Sequence, residues 1–185
     1  MSNWITDNTF LTRAQMENNA AIIYRYMSNR GWSDTAIAGM LGNMEAESTI
    51  SPGRYEVGGV GFGLVQWTPP TKLWDWIRAA YGNEDYSNGY YQLNRILWEL
   101  ENGGQYYQTP SYPLSFQQYI VSTQSATYMA GAWLVNYERS SDTSAAEQAR
   151  RGAMAESWLS YINTLPPVPA LDIPLWLLFR FTKRR

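Results

Sequence analysis

The chain has 185 residues, 45% of them hydrophobic, and a formal charge of −2; that is enough apolar content for one domain with its own core and little room for a second. It contains no cysteine and no histidine, which removes disulfides, thiolate chemistry, the usual zinc ligands and every hydrolase that orients its nucleophile with an imidazole; carboxylates, helped by Tyr, Lys and Ser, remain for acid–base work. Four of the 14 basic residues fall in the last six positions, leaving 10 basic against 16 acidic residues over 1–179, so the body lacks the basic face of a nucleic-acid binder.

The opening Met1-Ser2-Asn3-Trp4-Ile5-Thr6-Asp7 lacks the charged and then apolar run of a secretory signal, so none is expected. A first helix is signalled by Thr12 as N-cap and by Met16, Ala20, Ile23, Tyr24 and Met27 at helical spacing, with Gly31 as its stop. Ser33 caps a second helix, Asp34 suits the positive end of its dipole, and Ile37, Met40, Leu41 and Met44 form its apolar stripe. That helix must end before the turn Ser51-Pro52-Gly53.

The next block, 57–70, is rich in glycine and in near-alternating apolar residues, and reads as a short hairpin or irregular loop. A phosphate-cradling loop is disfavoured because no Lys-Ser/Thr pair follows it. Helical spacing returns over about 71–81, 90–101, 115–122, 126–137 and 144–164. Beyond Leu165-Pro166-Pro167-Val168-Pro169 the composition changes, and a mostly apolar run, 171–181, precedes the basic end Lys183-Arg184-Arg185. Such a run is shorter than the roughly 20 residues a membrane-spanning helix needs. It reads as a segment docked on the domain, or as a membrane-surface or partner-binding tail over 171–185. The expectation is a mainly α fold, a helical bundle around a groove with a small β-hairpin or loop region near 55–68, occupying 1–165, and a Pro-rich linker and tail over 166–185.

The chemistry centres on Glu45 and Glu47 at the end of the second helix. Two residues apart is about 200° around a helix, so the two carboxyls cannot face one site, and geometry alone chooses neither. The C-terminal turn of a helix carries negative partial charge, and apolar neighbours withhold water; both favour a protonated carboxyl at the later position. A glycosidase needs such a group to protonate its leaving oxygen.

The segment Gly39 to Gly53, with Gly42-Asn43-Met44-Glu45-Ala46-Glu47-Ser48 at its heart, is followed by Gly61-Phe62-Gly63-Leu64-Val65-Gln66-Trp67-Thr68-Pro69. Together these resemble the phage tail lysozyme family, as found in tail-knob proteins of short-tailed phages, and more distantly goose-type lysozymes and lytic transglycosylases. The likeness runs from about Met16 to Tyr161. It implies an α+β lysozyme-like fold and a muramidase that splits the bond between N-acetylmuramic acid and N-acetylglucosamine, without cofactor or metal.

By that resemblance Glu47 is the proton donor and Glu45 a supporting or surface residue. Gln66 and Trp67 would form the wall of the sugar groove, Tyr137 would sit near Glu47, and Tyr55 would add to substrate binding. Glu56 stands between the two motifs, where an inverting enzyme could hold a base across the groove; Glu138 is a lesser alternative, expected instead to pair with Arg139 or a neighbouring helix. With no second carboxylate, the chemistry would be that of a lytic transglycosylase forming anhydro ends. The implied partner is bacterial peptidoglycan, with possible membrane-surface or virion contact through 171–185, and the chain is expected to be a monomer unless built into a virion. It would work from a phage tail, or from the host cytoplasm before lysis. A silent glycan-binding or tail-structural module is the reading from another class.

Overall fold

In the computed structural model residues 3–56 and 58–168 are described; the apolar run and basic end over 171–185 lie outside them. Seven α-helices follow one another: α1 (Arg13–Ser28), α2 (Asp34–Ser48), α3 (Thr71–Tyr81), α4 (Gly89–Asn102), α5 (Phe116–Ile120), α6 (Ala126–Ala132) and α7 (Ala145–Ile162). The fold is mainly α, as expected, and among the described residues of the 55–68 region there are two isolated bridges, Tyr55 to Phe62 and Phe62 to Trp67. None of the described helices is long and apolar enough to cross a membrane.

Local chemistry sets the helix starts. Thr12 accepts from the Gln15 amide while the Gln15 side chain reaches back to the Thr12 amide, a reciprocal cap; Ser33 accepts from the Ala36 amide to start α2. Each such cap contributes about 1 kcal/mol. The last α-helical residue of α1 is Ser28, and Gly31 stops the helix as expected: it takes a φ of +80° and lets the Trp32 amide close back on the Met27 carbonyl at 3.3 Å.

Helix α2 is the axis of the molecule. Every residue from Ala36 to Met44 is buried, so this helix is enclosed on all sides rather than presenting a single apolar stripe. Glycines make that possible: a Cβ on Gly39 would lie 2.7 Å from the Met129 backbone of α6, and one on Gly42 would lie 2.8 Å from the Ala155 and Arg151 backbone of α7. Both neighbours therefore pack backbone to backbone against α2.

The expected helix over 126–137 changes character in its last turn. Trp133–Glu138 is π-helical, a conformation found mostly as single turns near functional sites. Its carbonyls are engaged from a distant segment: Tyr107 N–H donates to the Asn136 carbonyl (2.8 Å) and the Gln105 side chain to the Tyr137 carbonyl (2.8 Å). Trp133 and Tyr137 stack with ring centroids 4.0 Å apart.

Candidate active site

The end of α2, the glycine-rich loop, the π-helical turn and the 105–107 segment enclose an open cleft of about 450 Å³, whose walls include Glu47, Glu56, Gln66, Gln105, Glu138 and Arg139. Ser48, buried, ties two of these walls together. Its hydroxyl lies 3.0 Å from both the Met44 and the Leu64 carbonyls, joining the last turn of α2 to the glycine-rich loop. The same loop is fixed from behind by Gln92 of α4, which accepts from the Leu64 amide (2.8 Å) and donates to the Pro52 carbonyl (2.7 Å).

Among the described residues, four non-glycine residues adopt positive φ: Thr49 (52°), Ile50 (57°), Gln66 (49°) and Arg139 (52°). Two immediately follow the end of α2 and two line the cleft. Left-handed backbone at such residues costs of order 1–3 kcal/mol each, and it persists only where surroundings enforce it. Here Leu11 N–H donates to the Thr49 hydroxyl (3.0 Å) and the Asn19 side chain to the Ile50 carbonyl (2.9 Å), so the N-terminal segment and α1 hold the turn that follows the acid-bearing helix.

Glu47 faces the cleft with 23% of its side chain exposed, and its Oε1 accepts from Arg151 Nη2 at 2.6 Å. Arg151 belongs to α7 and is itself rigidly held: Nη1 donates to Asn43 Oδ1 (3.0 Å) and Nε to Glu147 Oε1 (2.6 Å). Asn43 in turn spends both amide protons on the Gly39 and Ala130 carbonyls (2.9 and 3.0 Å). Glu45 points elsewhere and accepts from the Trp158 indole at 2.7 Å. The 200° separation of the two glutamates thus sends one to the cleft and the other to the α2–α7 seam.

Glu138 ends the π-helical turn. Its Oε1 accepts from the Trp133 indole at 2.8 Å, and among the described residues no cation reaches it at ion-pair distance. Burial, and then the negative charge of Glu47, push its carboxyl well above the usual carboxylate range. The expected partner Arg139 turns away because its backbone is left-handed, and its guanidinium sits 4.9 Å over the Tyr107 ring.

The remaining predicted residues divide. Glu56 lines the cleft from an exposed turn, its Oε2 accepting from the Val60 and Gly61 amides (3.2 and 3.3 Å), so it caps its own loop. Gln66 lines the wall, its amide nitrogen donating to the Arg54 and Gly63 carbonyls (3.1 and 2.9 Å). Tyr55 is 42% exposed and packs on Phe62 at 4.7 Å. Trp67 is among the residues lining the cleft but is only 3% exposed, and its indole donates to Glu99 Oε1 (3.2 Å). Tyr137 is fully buried and donates to Glu99 Oε2 rather than to Glu47; burial, and then the Glu99 charge, raise its phenol well above the ordinary value.

Sequence reasoning passed over Glu99 and Arg151. Glu99 is the hub that collects Trp67, Tyr137 and, at 2.8 Å, Arg95 behind the cleft; only its i,i+4 spacing to Arg95 hinted at a partner. Arg151 lies 104 residues from Glu47, and nothing local marks it.

Two buried-charge systems, one clamping Glu47 and one backing the wall, frame a cleft that carries paired carboxyls and no metal-binding cluster among the described residues. The family model for phage tail lysozymes matches residues 18–162, from within α1 to the end of α7. The chain belongs to that family. Among similar proteins is morphogenesis protein 1 of Bacillus phage B103, 40% identical over 161 residues, which cover 84% of this chain and 42% of the relative. The chain therefore spans less than half the length of that relative. In this phage tail lysozyme the matched region takes in every element that builds the cleft.

Proposed function

We propose that the chain cleaves the glycan strands of bacterial peptidoglycan as a muramidase, hydrolysing the bond between N-acetylmuramic acid and N-acetylglucosamine, and that Glu47 is the carboxyl on which cleavage turns. The observation that carries this is Glu47 held by Arg151 in an open cleft that also contains a second, enclosed carboxyl. Glycoside cleavage needs one carboxyl to give a proton to the leaving oxygen and a second, ionised group to meet the positive charge that develops at the sugar. Glu47, expected from the resemblance to be the proton donor, lies in the cleft with Arg151 Nη2 at 2.6 Å. Gln66, on the cleft wall, would contact the sugar chain, with Trp67 beside it in the same wall.

Family membership and the phage relative support action from a virion tail, where the domain would open the wall locally. The test is digestion of purified peptidoglycan followed by mass spectrometry of the released fragments. Wild type is expected to release muropeptides with reducing muramic acid ends and Glu47→Gln to release none above background. Exclusively anhydro ends would replace hydrolysis with transglycosylation. Equal activity of Glu47→Gln and wild type would leave only a glycan-binding or structural role.

A further inference from the structure

Three carboxyls line the cleft, and each is already engaged: Glu47 by Arg151, Glu56 by the Val60 and Gly61 amides, and Glu138 by the Trp133 indole. Two further cations line it, Lys72 and Arg139, and among the described residues neither lies within ion-pair distance of an acid. A wall carrying three acids repels a negatively charged ligand. Cations kept clear of those acids therefore matter most to a ligand that brings an anion into the cleft.

The fold holds Arg139 in this uncommitted state. Its φ of 52° is left-handed and turns the side chain from Glu138, and its guanidinium lies 4.9 Å over the Tyr107 ring without donating to a described residue. That ring is anchored in turn. Tyr107 N–H donates to the Asn136 carbonyl (2.8 Å) and its hydroxyl to the Gly104 carbonyl (3.3 Å). The adjacent Tyr106 ring stacks on Phe116 at 4.8 Å, and its hydroxyl accepts from Asn136 Nδ2 (3.0 Å). A guanidinium that meets a ring through its face keeps its N–H edge free, in the planar fork that matches a carboxylate. Arg139 is exposed and Tyr107 is 51% exposed, so that edge is within reach of a ligand.

We propose that Arg139 reads a carboxylate on the substrate: it pairs with an acid group of the peptide carried by the muramic acid of the strand, and Lys72 adds positive charge to the same lining. This rests on the muramidase reading above. Of the two alternating sugars only muramic acid bears the lactyl arm from which a peptide hangs. A cation in the cleft lining thus separates the peptide-bearing strand from a neutral polymer of N-acetylglucosamine, and one sugar of the strand from the other.

The test is a competition on the full chain, using peptidoglycan stripped of phosphate-bearing wall polymers so that carboxylates are its remaining anions. Half of the material is amidated at its carboxyls and mixed back with the rest. Mass spectrometry then gives the ratio of carboxylate to amidated fragments released by wild type, Arg139→Gln and Arg139→Lys, a ratio that does not depend on how much of a variant is folded. Wild type is expected to favour the carboxylate form by about three- to five-fold, the upper range for a solvent-exposed ion pair. Arg139→Gln should release the two forms alike, Arg139→Lys should fall between, and the wild-type preference should shrink as salt is raised. A wild type without that preference, or an Arg139→Gln that keeps it, overturns the proposal. No release by wild type refutes the muramidase reading and this proposal with it, whereas an active enzyme that treats both forms alike refutes only the role of Arg139.

Discussion

Arg151→Met replaces the guanidinium that links α7 to Glu47 with a side chain of similar length and no donors. Arg151 has 7% of its side chain exposed and makes three hydrogen bonds, to Glu47, Glu147 and Asn43. Breaking a fully buried pair by removing one partner costs about 3–5 kcal/mol. The cost here is smaller, because Glu47 and Glu147 are 23% and 14% exposed and Glu147 keeps Arg150 at 2.7 Å. Asn43 Oδ1, fully buried, loses its donor outright, for about 1 kcal/mol or more. The expected total is about 2–3 kcal/mol, read from urea unfolding at neutral pH, and in a chain of this size it lowers Tm by about 5–10 °C. Moderate salt should change the difference little, since the pair is shielded from the solvent. A loss below about 0.5 kcal/mol, the range of an ordinary surface substitution, would refute the view that Arg151 is a structural clamp.

In Gly42→Ala the new Cβ would meet backbone atoms of α7 at 2.8 Å; α2 and α7 must part, for about 1–3 kcal/mol, and the urea midpoint should fall together with activity. Ser48→Ala removes the hydroxyl that reaches the Leu64 carbonyl, at about 1 kcal/mol, and the amides of Gln66 and Trp67 should then exchange with solvent faster than in wild type. Glu147, held down to about 2 from 4.5 by its hydrogen bond from Arg150 and then that from Arg151, stabilises the fold above the unfolded value and loses that contribution as pH falls from about 4.5 toward 2. Thermal melts should show that acid-side slope in wild type and a shallower one in Glu147→Gln. Glu138 has the opposite sign: its raised carboxyl favours the fold at low pH and disfavours it once the group must ionise. Glu138→Gln should therefore melt closer to wild type in acid and above it in alkali.

Helix starts were legible because a cap is a local transaction. Thr12 and Ser33 need only the amide three residues on, and both helices begin as expected. The π-helical turn was not legible, since the carbonyls that distinguish it are claimed by Gln105 and Tyr107, about 30 residues away. Motif resemblance brought Glu47, Glu56, Gln66 and Trp67 to one cleft, yet could not say which of their atoms would face it. Trp67 and Tyr137 turn inward because a buried carboxylate, Glu99, needs their donors. The expected Glu138–Arg139 pair does not form: Arg139 has a left-handed backbone and its guanidinium sits over the Tyr107 ring.

The Ser48 link divides the glycine-rich loop into two parts with different freedoms. Residues 63–67 are moored to α2, α4 and each other, whereas the 58–60 tip is exposed; within it Gly58 holds a φ of +69° and a Cβ on Gly59 would meet the Glu56 carboxylate at 2.0 Å, which leaves Val60, 60% exposed, as the position open to change. Side-chain changes at Val60 can reshape the rim of the cleft while leaving Glu47 and Glu138 where α2 and the π-helical turn put them, and while keeping the backbone amides that hold Glu56. Under the proposed glycan-cleaving function, a library confined to the side chain at 60 would be the economical way to vary what the rim grips.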